Sequence, residues 1–228
     1  MAKQPDPAEE QSLRAGFADE LDQLRLQLEV LAVRVGDALN RMRTVLNTGD
    51  AETAEAALAA DDDIDAMVVS LTERCYDLLR LQAPVASDLR FIVSVIRLLE
   101  ELERIGDLSL RVVKQADMLP LDPGLSDTVS EMAAVAQGLF KTAIAAWSKQ
   151  DLDLACTLAT RNRVMDSHYG TLMQKVLALE GPGAAQRAVT AVLVGRALER
   201  IADHTVIVGE RLRYMITADP AYLASEIR

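Results

Sequence analysis

The same helical pattern with two inward-facing acids occurs twice in this chain, and the duplication limits the folds available to it. Residues 87–117 contain no proline and place apolar residues three and four positions apart, which predicts one long helix. At about 100° per residue, Glu103 and Asp107 fall on the apolar stripe centred on Ile96. Glu199 and Asp203 repeat the arrangement 96 positions later (199 against 103). Such a repeat predicts two copies of one supersecondary unit.

Turn signals divide the sequence into six helices. They are predicted at residues 17–46, 51–83, 87–119, 125–149, 152–180 and 184–217. Short turns make neighbouring helices antiparallel. We therefore predict an all-α fold of two tandem, pseudo-symmetric three-helix bundles, built from six long antiparallel helices.

The boundaries of the two repeats follow from the same signals. The strongest break is the proline-rich and glycine-rich segment 120–124, near the midpoint of the chain. Repeat one is predicted at 17–119 and repeat two at 125–217, after a flexible tail at 1–16. Gly49-Asp50 should end the first helix and cap the second, and Gln150-Asp151 is the corresponding turn of repeat two. Ser87 or Asp88 should cap the third helix.

Composition excludes several functional classes. The chain has 228 residues, is 50% hydrophobic but 4% aromatic, and carries a net charge of −11 without a basic block, so we expect no nucleic-acid binding. It shows no signal peptide and no apolar run that could span a bilayer, which predicts a cytoplasmic protein. Cys75 and Cys156 form no zinc-type pair, and two reduced, packed thiols are expected.

The second helix of each repeat carries its own pair of oxygen side chains. Asp61 and Asp65 lie four residues apart on an apolar face, and Asn162 and Asp166 occupy the equivalent positions 101 residues later (162 against 61). Each bundle should therefore bring two such pairs, four oxygen ligands, to one level. Because buried charge is costly unless it is paired or metal-bound, the pattern indicates a hard metal ion such as Mg, Ca, Mn or Fe.

Two other readings of the acids stay open at this point. Arginines could pair with them, so that the acids line a groove filled by water and arginine without metal. An acid pair four residues apart is often only a solvated helix face. Redox chemistry of the di-iron oxidase type is disfavoured because its Glu-x-x-His motif is missing, and His168 falls about 120° off the stripe.

The motifs Leu-Glu-Arg-Ile-Gly-Asp at 102–107 and Leu-Glu-Arg-Ile-Ala-Asp at 198–203 resemble the duplicated signature of PhoU proteins. The resemblance extends to residues 86–90, to both pairs on the second helices, and to nearly the whole chain. It implies a multinuclear metal cluster in each bundle, with Fe, Zn, Mn or Mg as the metal. The implied ligands are Asp61, Asp65, Glu103, Asp107, Asn162, Asp166, Glu199 and Asp203. Asn162 and Ala202 depart from the family's Asp and Gly.

The resemblance also implies a function. A protein of this family would be a negative regulator of the phosphate-starvation response and of phosphate uptake. It would act as an adaptor between the ATPase subunit of a phosphate ABC transporter and a sensor histidine kinase. Separately, the acidity of the chain disfavours direct attachment to anionic lipid, so we expect it to reach the membrane only through these partners. We also expect a homodimer. Asp88 and Arg90, together with Arg104 and Arg200, are candidate partner-binding residues.

Two other classes of function stay open on the sequence. One is a carboxylate-bridged, metal-dependent hydrolase, although no base or nucleophile lies beside the acid pairs, so we expect no enzymatic activity. The other is a structural helical bundle whose acids form only salt bridges. Ile105 and Ile201 lie opposite the acid stripe and indicate a second packing surface.

Overall fold

A computed structural model describes residues 7–82, 84, 86–116 and 123–223. The helices are α1 (Pro7–Thr48), α2 (Ala51–Ala59), α3 (Asp61–Gln82), α4 (Ala86–Ala116), α5 (Pro123–Lys149), α6 (Leu152–Leu177) and α7 (Ala184–Thr217), followed by a short 3₁₀ helix at Pro220–Leu223. These ranges contain helices and turns but no strand, which confirms the all-α fold. None of the helices in this part of the chain is long and apolar enough to cross a bilayer.

The first helix begins earlier than predicted. α1 starts at Pro7, so residues 7–16 belong to the helix and not to a tail. Proline suits the first helical position because its missing N–H has no intrahelical acceptor there, and the residues after Pro7 are good helix formers. The remainder of the predicted tail, residues 1–6, lies outside the described residues, as does most of the predicted boundary at 120–124.

The second predicted helix is divided into α2 and α3. The break is at Ala60, whose φ of −89° and ψ of −6° lie at the edge of the helical region. α3 then begins with three consecutive aspartates, which are favourable beside the free N–H groups of a helix start. The prediction of one continuous helix was wrong because alanines keep helical periodicity through the break.

The turn at the end of the first helix of each repeat is built in the same way, as predicted. Gly49 has a φ of +66°, and the Asp50 side chain then accepts a hydrogen bond from the Thr53 N–H. In repeat two, Gln150 has a φ of +53°, and Asp151 caps α6 through the Leu154 N–H. The predicted cap of α4 is different, because the helix begins at Ala86 and so already includes Ser87 and Asp88.

The two bundles share one hydrophobic core. α4 packs most extensively on α7, and α1 packs on α5, so helices of repeat one contact helices of repeat two. Ile105 and Ile201 are both completely buried in the common core. The second packing surface predicted from these two residues therefore lies between the repeats of one chain.

Packing on two sides also moves the buried face of α4. Leu98 and Leu102 are fully buried, whereas Ile96, the predicted centre of the core stripe, is half-buried and Leu89 is 41% exposed. A helix that packs on its own bundle and on a neighbouring repeat buries a wider arc than a single stripe. Ile96 therefore lies at the edge of the buried arc and not at its centre.

Two glycines of α7 allow a close approach to α6. A Cβ atom built on Gly195 would lie 2.3 Å from Leu172 Cδ2, and one on Gly209 would lie 2.4 Å from Leu158 Cδ1. Both leucines are completely buried. The close packing of α6 on α7 therefore requires glycine at these two positions. The equivalent positions in repeat one are occupied by Leu99 and Val113.

Candidate metal centre

The acid pairs lie along two seams between helices, one in each repeat. In repeat one, Asp61 and Glu103 are half-buried, whereas Asp65 and Asp107 are exposed. The prediction that all four point into the bundle core was wrong, because the buried arc of α4 is turned toward α7. The acids instead occupy the solvent-facing edge of the α3–α4 interface.

The acids of the first seam repel one another. Partial burial raises the pKa of Asp61 above its ordinary value of 3.8, and the charges of Asp65 and Asp107 raise it further. Burial, followed by the charge of Asp107, likewise raises the pKa of Asp65. Glu103 has a raised pKa for the same reasons, with Glu100 as an additional source of repulsion. We call Asp61, Asp65, Glu100, Glu103 and Asp107 the first acid group.

Little positive charge from the protein offsets this repulsion. Lys114 and Arg104 lower the pKa values of Asp61 and Glu103 through space. Within the described ranges, however, neither cation forms a salt bridge to the first acid group. The group is therefore a concentration of negative charge without a directly bound counter-charge.

The seam of repeat two is organised differently. The Asn162 side chain donates a hydrogen bond of 2.9 Å from Nδ2 to Asp203 Oδ1, which joins α6 to α7. Arg196 forms a salt bridge with Glu199 three residues along α7. Asp166, the fourth predicted ligand, is exposed. We call Asn162, Asp166, Arg196, Glu199 and Asp203 the second acid group.

The electrostatics of the second acid group include a cation of the protein. Its hydrogen bond with Glu199 raises the pKa of Arg196, and the charges of Glu199 and Asp203 act in the same direction. Burial raises the pKa of Asp203, while the bond from Asn162 and the charge of Arg196 oppose that rise. Asn162 Oδ1 is buried and accepts no hydrogen bond from the described residues.

The two groups differ in how well they fit a metal ion. As the side chains stand, no three His, Cys, Asp or Glu residues of the described part of the chain form a group that could hold one. The first acid group nevertheless offers only carboxylate oxygens, which suit hard cations, and no cation of the described chain forms a salt bridge to it. The second acid group fits poorly, because Arg196 already binds one of its carboxylates.

Both histidines pair with glutamates and so stand outside the acid groups. His204 is buried, and its Nδ1 atom lies 2.7 Å from Glu101 Oε2. His168 Nδ1 lies 3.3 Å from Glu131 Oε2 at the surface. The His204 pair is not evident from local sequence patterns, because Glu101 belongs to the other repeat.

The cysteines follow the prediction only in part. Cys75 is buried, and burial raises the pKa of its thiol to about 12, so the thiol is protonated and unreactive. Cys156 is exposed and not packed as a small hydrophobic residue. Both are free, as predicted.

The predicted partner-binding residues are divided between α4 and α7. Asp88 and Arg90 are half-buried at the start of α4. Arg104 is exposed on the same helix 14 residues further on, about 21 Å away along the axis, and Arg200 is half-buried on α7. Asp88 and Arg90 therefore lie on a different part of α4 from Arg104.

Comparison with known proteins gives the same family from sequence and from structure. The PhoU domain family model matches residues 28–116 and 129–212. A phosphate-specific transport system accessory protein PhoU homolog from Pseudomonas aeruginosa is 30% identical over 206 residues, which cover 88% of this chain and 85% of that protein. PhoU homolog 2 from Mycobacterium tuberculosis is 30% identical over 209 residues, 90% of this chain and 98% of that protein.

Solved structures agree with this result. The crystal structure of PhoU from Pseudomonas aeruginosa superimposes with a TM-score of 0.85 at 29% identity, covering 89% of this chain and 100% of that one. The regulatory protein PhoU from Streptococcus pneumoniae has the same fold, with a TM-score of 0.82 at 24% identity, covering 89% and 98%. The two matched segments of the family model coincide with the two bundles, and each contains one copy of the doubled motif. The chain therefore belongs to the PhoU family.

Proposed function

We propose that this protein is an accessory protein of a phosphate-specific transport system and a negative regulator of the phosphate-starvation response. The observation that carries the proposal is the family match over both repeats, together with relatives that are named as accessory proteins of phosphate transport. We further propose that it acts in the cytoplasm without catalysing a reaction. Its partners would be the ATPase subunit of a phosphate ABC transporter and a sensor histidine kinase, and it would reach the membrane only through them.

Deleting the gene tests the regulatory role. Starvation genes should then stay switched on in high phosphate, and the wild-type gene should restore repression. If those genes still shut off normally, and also do so after deletion of any second PhoU copy, the proposal is wrong. Affinity capture of the tagged protein from its own cells, with and without phosphate, should recover the transporter ATPase and the kinase.

We also propose that the first acid group holds a metal ion, of which Fe, Zn, Mn and Mg are the candidates. Asp61, Asp65, Glu103 and Asp107 would supply the oxygens. Burial and the charges of neighbouring acids raise the pKa values of Asp61 and Glu103, and a bound cation would offset both effects. Because a ligand that binds only the folded state stabilises it, chelation of metal-loaded protein should lower the melting temperature. An unchanged melting curve, with metal loss verified by elemental analysis, would contradict this proposal.

A homodimer is the third part of the proposal. Leu26, Val30 and Val33 of α1 are 63%, 50% and 63% exposed and lie on one stripe. Beside them, α1 and α5 enclose a groove of about 370 Å³ that Val33 and Phe140 line. The exposed stripe of α1 lies beside this groove. A two-fold axis could therefore place the stripe of each copy in the groove of the other.

Sedimentation equilibrium tests this surface. Val33→Glu should convert a dimer to a monomer, because it would bury a charge in an apolar contact. Val69→Glu is the matched control, since Val69 is 59% exposed on α3, away from the groove. A dimer that survives Val33→Glu would rule out this surface.

A further inference from the structure

The two acid groups are equivalent in position but not in charge. The offset of 96 residues that relates Glu103 to Glu199 also relates Glu100 to Arg196. The first acid group consists of five carboxylates. In the second, Asp166, Glu199 and Asp203 contribute three negative charges, Arg196 one positive charge and Asn162 none, which leaves −2. At the same five positions, repeat two therefore has two fewer negative charges and one added positive charge, so its net charge is three units less negative.

The neighbouring position on the second helix extends the difference. Asp62 follows Asp61 in the first turn of α3, and its equivalent in repeat two, at an offset of 101, is Arg163. A carboxylate of repeat one is thus replaced by a guanidinium twice, once on each helix of the seam. Lys114 opposes the trend, because its equivalent is Glu210, but Lys114 makes no salt bridge to the acids of the described chain.

Arg196 contacts one of the predicted metal ligands directly. Arg196 forms a salt bridge with Glu199, whose side chain is 16% exposed. Asn162 Nδ2 occupies one oxygen of Asp203 at 2.9 Å. A metal ion in repeat two would have to displace the guanidinium and the amide, and would then lie close to a positive charge. The Asn162 Oδ1 atom, which accepts no hydrogen bond from the described residues, is one neutral acceptor and supplies no negative charge.

We propose that the second acid group holds no metal ion, that Arg196 supplies its counter-charge instead, and that the protein has a single metal centre, in repeat one. The single centre rests on the metal site proposed above. The role of Arg196 does not, because a built-in cation acts in the metal-free protein as well. The negative charge between the helices would then be offset by a metal ion in repeat one and by Arg196 in repeat two.

Metal content of the purified full-length chain tests the first half of the inference. Protein stripped with chelator, reloaded with Mn²⁺ and desalted should lose its Mn²⁺ in Asp107→Asn and keep the wild-type amount in Asp203→Asn. Glu100→Arg should also abolish binding, and Arg196→Glu should add Mn²⁺ to repeat two. Equal losses in folded Asp107→Asn and Asp203→Asn would overturn the inference while leaving metal binding itself intact. A wild-type chain that takes up no Mn²⁺ would instead contradict the metal site of repeat one.

Melting temperatures in excess chelator test the second half without any metal. Arg196→Gln should lower the melting temperature by roughly 2–4 °C, since Glu199 and Asp203 lose their counter-charge. Glu100→Arg should raise it by a similar amount, because it brings the same cation to repeat one. Arg200→Gln is the matched control and should change it by less than about 1 °C, as Arg200 joins no acid in the described chain. If Arg196→Gln has the same melting temperature as the wild type, Arg196 is not the counter-charge and the inference fails.

Discussion

His204 Nδ1 lies 2.7 Å from Glu101 Oε2, and this pair joins α7 of repeat two to α4 of repeat one. Both side chains are largely buried, with exposed fractions of 6% and 13%. Removing either residue would leave a buried polar group without its partner. We therefore expect His204→Ala or Glu101→Ala to reduce the free energy of unfolding by about 1–3 kcal/mol.

A double-mutant cycle, measured by urea denaturation, should show coupling between His204 and Glu101. The control is His168 with Glu131, a longer pair whose side chains are 28% and 61% exposed. Its coupling should be below about 1 kcal/mol, because water competes for both groups. Equal coupling in the two pairs would show that burial between the repeats adds nothing.

Each of the two equivalent turns contains one residue with left-handed backbone angles, and exchanging its residue type should change stability in opposite directions in the two turns. Gln150 has a φ of +53°, which is unfavourable for a residue with a Cβ atom, whereas Gly49 adopts +66° without that cost. Gln150→Gly should therefore raise the free energy of unfolding by roughly 1 kcal/mol, and Gly49→Gln should lower it by a similar amount. Denaturation of both variants under one set of conditions checks the pair. A destabilised Gln150→Gly would mean that the glutamine side chain makes a contact worth more than the strain.

Helix contacts at glycine predict a second contrast. Gly209→Ala should destabilise the protein by about 1–3 kcal/mol, because the new methyl group would lie 2.4 Å from Leu158 Cδ1 in a packed core. Gly106→Ala should be neutral or stabilising. Its nearest neighbour is an Ile64 methyl at 3.6 Å, and alanine is the better helix former. Thermal melts of both variants would decide this; a neutral Gly209→Ala would mean that Leu158 can move freely.

The first acid group should give the metal-free protein an unusual dependence on pH. The folded-state pKa values of Asp61, Asp65 and Glu103 are raised above 3.8 and 4.5, so the folded chain binds protons more readily than the unfolded chain. Their contribution to stability therefore increases as pH falls through the raised values toward the ordinary ones, and decreases as pH rises. Urea midpoints in chelator, measured from pH 7 down toward the ordinary values of 3.8 and 4.5, should show this increase.

Asp107→Asn is the control for the pH experiment. It removes the charge that raises the pKa values of all three neighbours, so its stability should depend less on pH than that of the wild type. The difference between the two proteins isolates the acid group from other titrating residues. Identical pH profiles would show that repulsion within the group has no effect on folding.

The sequence allowed the helices and their repetition to be predicted because both depend on local chemistry. The bounds of α7 agree with the prediction at both ends, since Gly183 and the segment after Thr217 are strong local signals. The capping aspartates, Asp50 and Asp151, were equally visible. The break at Ala60 was not, because nothing in an alanine-rich and aspartate-rich stretch interrupts the helical period.

The sequence did not reveal which face of each helix is buried once the two repeats pack together. The projection on Ile96 treated α4 as part of one bundle, so it placed Asp107 inside and left Ile105 without a partner. Contact with α7 reverses both assignments. The pairing of His204 with Glu101 was hidden for the same reason. The different charges of the two seams, by contrast, are evident in the sequence itself through the offset of 96.

The burial of Ile105 and Ile201 between the repeats has a consequence for how such a chain could arise. A half-length ancestor with the plan of repeat one would expose the α4 face that α7 now covers, and a second copy of itself could cover that face. Duplication and fusion would make that pairing permanent. Once the halves were joined, each seam could change independently, because one polypeptide no longer had to satisfy both positions with the same residue. The exchange of Glu100 for Arg196 is a substitution that a symmetric ancestor could not have made on one side alone.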